Sequence, residues 1–242
     1  MQFALDERGN RTAIDDADKK NKYFCPCCHS EMVVRKGNIK VHHFAHKANG
    51  MCIGYYDNVG EWHRSMQELF PAENREQFNG EFGKHFYDVL TDKNTIIEFQ
   101  HSPMAKPLFD ERTDAYVSFA RKYRTEQPVW VFDFADEKKP RYFYIYAKDS
   151  RTRERRIKWY YSTRLFTGYD DEVYPYELWF RINPLQFEPI TKRGFDGTMR
   201  VKFDEARVGV GYIKVERIIK DKYIHGLVYS EEDFYKYLLE NK

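Results

Sequence analysis

Four cysteines and a histidine-rich run near the start of the chain have the types and spacing of a metal site. Cys25 and Cys28, in "YFCPCC", are separated by two residues, so both sulfurs can turn toward one tetrahedral zinc ion. His46 and Cys52 follow and complete the pattern Cys-x2-Cys-x17-His-x5-Cys, with His43 and His46 as the alternative second pair. We therefore predict a structural Zn²⁺ site, and four protein ligands would leave no open position for catalysis.

Two other interpretations of the cysteines remain open. Unligated thiols would fit the same residues. A redox dithiol fits less well, because such a motif normally follows a strand and opens a helix, whereas a hairpin is predicted after these cysteines. Cys27 lies between the two predicted ligands and should point elsewhere, so its role stays undecided.

A second constellation of polar residues lies on two predicted strands. Asp88 is on the first strand, and Glu98 and Gln100 are on the second, where alternation gives them a shared face. Asp88 can face Glu98 across the short connection "TDKN". Two carboxylates that converge on an apolar hairpin are costly unless they are paired or bind a metal. Oxygen ligands of this kind suit Mg²⁺ or Mn²⁺. However, any hairpin with acidic residues on its solvent side matches the same pattern, so the residues alone do not favour a metal site.

The helix predicted upstream, "GEWHRSMQELF", adds two candidate catalytic side chains. Glu61 or His63 could reach the metal or a scissile phosphate. The alternative is that His63 only caps a polar helix face.

Three regions must position these residues. Residues 1–57 hold short strands, the cysteines and a hairpin formed by "EMVVR" and "IKVHHF". Residues 58–164 read as helix, hairpin, helix and strand, with the second helix over 106–123 and the strand in "PVWVFDF". Residues 165–242 are rich in Tyr, Phe and Val, and they end in a helix for which Ser230 is a plausible N-cap.

The charge distribution raises the question of nucleic acid. The formal charge is only +2, from 40 basic and 38 acidic residues, and does not decide the matter. However, residues 148–158, "KDSRTRERRIK", are strongly basic and are flanked by tyrosines and a tryptophan, which suits a strand held by phosphate contacts and ring stacking. A solvated charged loop is the alternative. The candidate DNA-binding residues here are Arg151, Arg153, Arg155 and Arg156.

The chain also lacks the sequence signals of secretion or membrane insertion. The start, "MQFALDERGN", carries charge at once, and no apolar run approaches the length of a membrane helix. We therefore expect a soluble, cytoplasmic protein with reduced thiols and no membrane partner.

Several separated motifs in one order give the chain a family resemblance. "YFCPCC", "HHFAH", "EWH", "IIEFQHS", "ERTDAY" and "PVWVF" together resemble the competence protein CoiA-like family over about residues 1–134. The resemblance implies a zinc-finger-like N-terminal module (1–57) and a PD-(D/E)XK nuclease core (58–164) of the restriction-endonuclease type. The expected fold class is α/β (α+β): a zinc-binding β module, a core with a central mixed sheet flanked by helices, and a β-rich C-terminal extension (165–242).

The resemblance also implies roles for individual residues. Asp88, Glu98 and Gln100 match the nuclease acids and the glutamine, and His63 matches the histidine of the leading helix. Gln67 stands where relatives are expected to carry a basic residue. Three further polar residues match positions that could bind DNA phosphate: Ser102, Arg112 and Tyr116. Arg112 could equally anchor its helix by a salt bridge.

These features lead to three functional hypotheses. The first is a Mg²⁺-dependent deoxyribonuclease that acts in competence, recombination or defence against phages and mobile elements. The second is a nucleic-acid-binding protein with a silent nuclease core and a structural zinc. The third is a metal-stabilised structural or partner-binding protein, including a homo-oligomer.

Overall fold

The computed structural model gives a mixed α+β protein with two compact units, Met1–Leu90 and Thr91–Lys242. The predicted region boundaries after residues 57 and 164 stay predictions. The residues described are 1–38, 41–47, 52, 60–83, 85–101, 103–135, 143–147, 155–159, 164–166, 168–182, 211–219 and 223–242.

The first unit contains a small antiparallel sheet in the strand order β2-β1-β3-β4-β5. Its strands are β1 (Phe3–Leu5), β2 (Arg11–Ala13), β3 (Tyr23–Phe24), β4 (Glu31–Arg35) and β5 (His43–His46). Pairing of Met32 with His46 joins β4 to β5, so the hairpin predicted from alternation is confirmed.

Apolar side chains from several of these strands form one small core. The rings of Tyr23 and Phe44 lie 5.0 Å apart within it, and Met32 is buried beside them. Cys25 is fully buried in the same cluster. The cysteine pair is therefore attached to the core of the sheet.

The rest of the first unit contains one helix and a strand pair. These elements are α1 (Glu61–Gln67), β6 (Arg75–Phe78) and β7 (Phe86–Leu90), with β6 and β7 antiparallel. The sequence predicted α1 and β7 but not β6.

The second unit is built on a mixed sheet in the strand order β10-β11-β14-β13-β12-β9-β8. Strands β8, β9 and β12 run parallel, and the remaining neighbours are antiparallel. The elements are β8 (Ile96–Gln100), α2 (Lys106–Tyr123), β9 (Val129–Asp133), β10 (Phe143–Ala147), β11 (Arg155–Trp159), β12 (Glu177–Ile182), β13 (Gly211–Ile219), β14 (Tyr223–Ser230) and α3 (Glu231–Asn241).

The helix α2 covers one face of the parallel strands. Phe109 packs 4.9 Å from the ring of Trp130, and it also contacts Phe132. The helix spans the predicted residues and ends at Arg124, whose left-handed backbone (φ 54°) forms the C-cap. Since Trp130 and Phe132 share a face of β9, Asp133 leaves that strand on the opposite face.

The C-terminal helix α3 is also as predicted. Ser230 is its N-cap, and the hydroxyl accepts a hydrogen bond from the backbone N–H of Asp233. Phe234 and Leu238 on one side of the helix are fully buried. The predicted helix and its capping serine are therefore both confirmed.

Candidate functional site

A tight turn after β3 brings the first two cysteines together. The N–H of His29 donates to the carbonyl of Cys25 at 2.9 Å, and the N–H of Cys25 donates to the carbonyl of Ser30 at 2.9 Å. His29 takes a left-handed conformation (φ 54°), which reverses the chain within this turn. The turn therefore folds the Cys-x2-Cys segment back on itself immediately before β4.

Two more side chains complete a cluster of four. The ligand atoms of Cys25, Cys28, His46 and Cys52 all lie within 4.8 Å of one another. The sulfurs of Cys25 and Cys52 are 3.8 Å apart, and the sulfur of Cys28 is 3.4 Å from Nε2 of His46. Tetrahedral zinc with ordinary bond lengths requires edges of about 3.8 Å between two sulfurs and about 3.6 Å between sulfur and nitrogen. The cluster fits a structural metal such as zinc, and these are the four residues that the spacing predicted.

The two residues left open by the sequence lie outside this cluster. His43 is on β5, and its Nδ1 donates to the carbonyl of Val41 at 2.7 Å. Cys27 is half-buried and is not among the clustered ligand atoms. The geometry therefore favours His46 over His43 as the ligand.

The pKa values of the Cys25 and Cys28 thiols are shifted in opposite directions. Burial raises the pKa of the Cys25 thiol above its ordinary value. Burial also raises the pKa of Cys28, but hydrogen bonds with Ser30 and His46 outweigh it and lower the pKa to about 6. Because zinc binds thiolates, metal binding must release the proton of Cys25 and so links metal affinity to pH.

In the first unit, α1 and β7 join to hold Asp88. His63 donates from Nε2 to Oδ1 of Asp88 at 2.8 Å, and Gln67 donates to the same oxygen at 3.3 Å. Gln67 is almost fully buried at 2% exposure and also reaches the backbone carbonyl of Asp88. The neutral amide of Gln67 therefore donates hydrogen bonds to both the side chain and the backbone of Asp88 on β7. His63 contacts the candidate carboxylate itself and does more than cap a helix face.

In the second unit, two residues of α2 hold Glu98 on β8. Arg112 donates to Oε1 of Glu98, and the hydroxyl of Tyr116 donates to Oε2 at 2.9 Å. Nε of Arg112 also donates to the Tyr116 hydroxyl at 2.9 Å, which closes the triangle. Glu98 is 2% exposed, and the guanidinium of Arg112 lies 5.6 Å from the ring centre of Trp130.

This arrangement bears on the roles expected for Arg112 and Tyr116. Both were predicted to bind DNA phosphate, with a helix-anchoring salt bridge as the alternative for Arg112. Arg112 is buried and makes that salt bridge, here to Glu98. An ionised carboxylate has about four lone-pair positions on its two oxygens. Arg112 and Tyr116 each donate to one of these two oxygens.

The other predicted residues are distributed as follows. Gln100 is the last residue of β8 and is half-buried, while Glu61 begins α1 and is exposed. Ser102, Arg151 and Arg153 lie outside the described residues, and Arg155 and Arg156 lie on β11. Asp88 belongs to the first unit, and Glu98 and Gln100 belong to the second.

The sequence interpretation missed one polar cluster, at the ends of the parallel strands. Asp133, the last residue of β9, is buried between His101 and Arg181. The signal that was available is the position of these polar residues at or near the carboxyl ends of β8, β9 and β12, where α/β sheets bind ligands.

The chain was compared with known proteins. Residues 7–53 match the family model described as competence protein CoiA, N-terminal domain. The match covers 47 of the 242 residues and includes the whole metal cluster. No match was found among curated proteins or among solved structures. Within the described part of the chain, no helix is both long and apolar enough to cross a membrane.

Proposed function

We propose that the protein is a CoiA-like, metal-dependent DNA nuclease that hydrolyses phosphodiester bonds in competence, recombination or defence against foreign DNA. The match of residues 7–53 supports a competence-related role. The cleavage chemistry is proposed for the residues beyond the match, where the candidate carboxylates lie.

The way in which Glu98 is held carries the proposal. The carboxylate is buried in the middle of a strand, and a guanidinium and a phenol from the next helix fix both oxygens. Replacing such a buried pair by apolar residues often costs nothing or stabilises a protein, so a buried ion pair needs a reason other than stability. A fixed, ionised carboxylate is what a metal-dependent active site requires, because it must present its oxygens in one geometry.

Each residue then has a part. Asp88 and Glu98 would hold Mg²⁺ or Mn²⁺, a pairing that rests on the sequence, where they stand on either side of a short connection. Such an ion would neutralise negative charge on the scissile phosphate. His63 orients Asp88 through its hydrogen bond to Oδ1.

Gln100, the last residue of β8, would orient the attacking water by hydrogen bonds. An amide cannot supply the positive charge that a lysine would, so more of the charge stabilisation falls to the other groups. Arg112 and Tyr116 would act as positioning residues for Glu98, and not as DNA contacts. The zinc module has no part in the chemical step and braces the N-terminal sheet.

Cleavage assays test the proposal. Purified protein is incubated with single- and double-stranded DNA in Mg²⁺, in Mn²⁺ or in EDTA, and we expect cleavage only with metal. Asp88→Ala and Glu98→Ala should each lower the rate by at least about 10²-fold, since each removes a metal ligand. Asp92→Ala is the matched control, because Asp92 is an exposed carboxylate that lies between Asp88 and Glu98 in the sequence. Equal cleavage by all three variants and wild type would exclude the assignment.

A nucleic-acid-binding protein without cleavage is the second candidate. The feature that favours it is the basic segment 148–158 of the sequence, of which residues 155–158 lie on β11, an internal strand between β10 and β14. The predicted contacts are then removed together by changing Arg151, Arg153, Arg155 and Arg156 to Gln.

The two candidates make different predictions for this variant. A binding surface predicts weaker DNA binding and a shallower salt dependence, by about 0.7 in log–log slope for each phosphate of a single strand that the variant no longer neutralises. Adding or removing metal should then have no effect on DNA binding. Binding that equals wild type at every salt concentration would remove this segment as the DNA-binding surface.

A further inference from the structure

A buried aspartate organises two basic side chains at the end of β9. Oδ2 of Asp133 accepts a hydrogen bond from Nδ1 of His101 at 2.8 Å. Oδ1 accepts from Arg181 at 3.0 Å and from the backbone N–H of Ala135 at 3.0 Å. The Asp133 side chain is 2% exposed, whereas that of His101 is 43% exposed. The aspartate is thus fixed, and the imidazole it holds faces solvent.

These bonds determine which nitrogen of the imidazole can act as a base. An ionised carboxylate only accepts hydrogen bonds, so Nδ1 of His101 carries the hydrogen. In the neutral ring Nε2 is then the proton acceptor. Asp133 also stabilises the imidazolium that forms when Nε2 takes a proton. Arg181 supplies the positive charge that a buried carboxylate requires.

The cluster lies where a substrate is expected to bind. Strands β8, β9 and β12 are parallel, so their carboxyl ends meet at one edge of the sheet. In open α/β sheets ligands bind just outside that edge. Gln100 is the last residue of β8, and His101 follows it directly. The side chains of Glu98 and Gln100 leave β8 on the α2 face, so His101 approaches the same edge from the opposite face.

We propose that His101 is the general base of the nuclease and that Asp133 is its positioning residue. The inference rests on the proposed function and deepens it. It fills a gap, because the amide of Gln100 can orient water but cannot accept a proton at neutral pH.

In this step the oxygen of water forms a bond to phosphorus, and one water proton passes to Nε2 of His101. The bond from phosphorus to one nucleoside oxygen breaks with its electron pair, and that oxygen takes a proton from solvent. The imidazolium returns its proton to solvent, so the residue is regenerated. General base catalysis of this kind contributes typically about 10²–10⁴-fold in rate.

The test uses His101→Asn in the full chain. The asparagine amide can replace Nδ1 as the donor to Asp133, so the fold is kept while the acceptor is removed. We expect cleavage in Mg²⁺ to fall by at least about 10²-fold. DNA binding, measured by fluorescence anisotropy with Ca²⁺ in place of Mg²⁺, should stay within about twofold of wild type. Cleavage is also measured across a range of pH in both proteins, and the pH profile of the residual rate of the variant should differ from that of wild type.

Three outcomes separate the proposals. Cleavage by wild type together with a slow variant of altered pH profile supports the base. Cleavage by both at the same rate, or with the same pH profile, overturns the role of His101 and leaves the nuclease intact. A wild-type protein that cleaves nothing overturns both. His101→Gln, which places its amide near the position of Nε2, should bind DNA like wild type and be equally slow if the missing group is the base.

Discussion

Replacing Arg112 by methionine should destabilise the second unit severely. The side chains of Arg112 and Glu98 are 10% and 3% exposed, so loss of the guanidinium leaves a carboxylate buried with the Tyr116 hydroxyl and without its ion pair. Removing one partner of a buried ion pair costs about 3–5 kcal/mol. For a chain of this size each kcal/mol lowers Tm by about 2–4 °C, so Tm should fall by roughly 6–20 °C.

The assay is urea unfolding at pH 7 followed by circular dichroism, with a thermal melt as a second measurement. Arg121→Met is the matched control, because Arg121 is exposed on the same helix and the substitution is chemically identical. It should change the free energy of unfolding by no more than about 0.5 kcal/mol. The double variant Arg112→Met/Glu98→Leu removes both charges and should recover much of the stability.

The coupling free energy between Arg112→Met and Glu98→Leu decides whether these two side chains stabilise each other. The reasoning is refuted if Arg112→Met unfolds within about 1 kcal/mol of wild type, or if the two substitutions are simply additive. Either result would mean that Arg112 and Glu98 do not depend on each other. The account of Glu98 as a carboxylate fixed by α2 would then fail.

Two further predictions concern the metal cluster and the pH dependence of stability. Wild type should bind about one zinc per chain. Cys28→Ser should lose this zinc and become several kcal/mol less stable, whereas Cys27→Ser should keep the zinc and the stability. Loss of zinc from the Cys27 variant in elemental analysis would reassign the ligands. Burial would raise the pKa of Glu177, but the nearby Lys242 and Lys214 outweigh it and hold that pKa below its ordinary value. The stability that Glu177 contributes is therefore present above about pH 4.5 and is lost as the pH falls below it, so Glu177→Gln should lose less stability than wild type between pH 7 and pH 3.5. Urea unfolding at both pH values measures the difference, and equal losses would contradict the ion pairing.

Local pattern was sufficient where the interacting residues are close in sequence. The metal quartet followed from the spacing of Cys25, Cys28, His46 and Cys52, because a tight turn and one hairpin bring all four together. The helix over 106–123 and the Ser230 cap were likewise predicted from local sequence and are confirmed. The resemblance to the CoiA-like family added an expectation that the match of residues 7–53 supports for the N-terminal module.

Other parts of the candidate site depended on interactions that sequence spacing does not specify. Gln67 looked like a weakened DNA-binding position, yet its amide is buried against Asp88. Arg112 and Tyr116 sit one helical turn apart, which predicts a shared face of α2 but not what that face meets.

The residues around Asp133 show the same limit over a longer range. His101 directly follows β8, while Asp133 lies on β9 and Arg181 on β12, and the first and last of these residues are 80 positions apart. No sequence period links them, because parallel strands are joined by crossovers whose length does not set the final register. The sequence by itself determined which cysteines and histidine can bind a structural metal and where the helices α2 and α3 form. Only the tertiary structure decided which polar groups are buried together, because the alignment of parallel strands and the packing of α2 on them fix those distances.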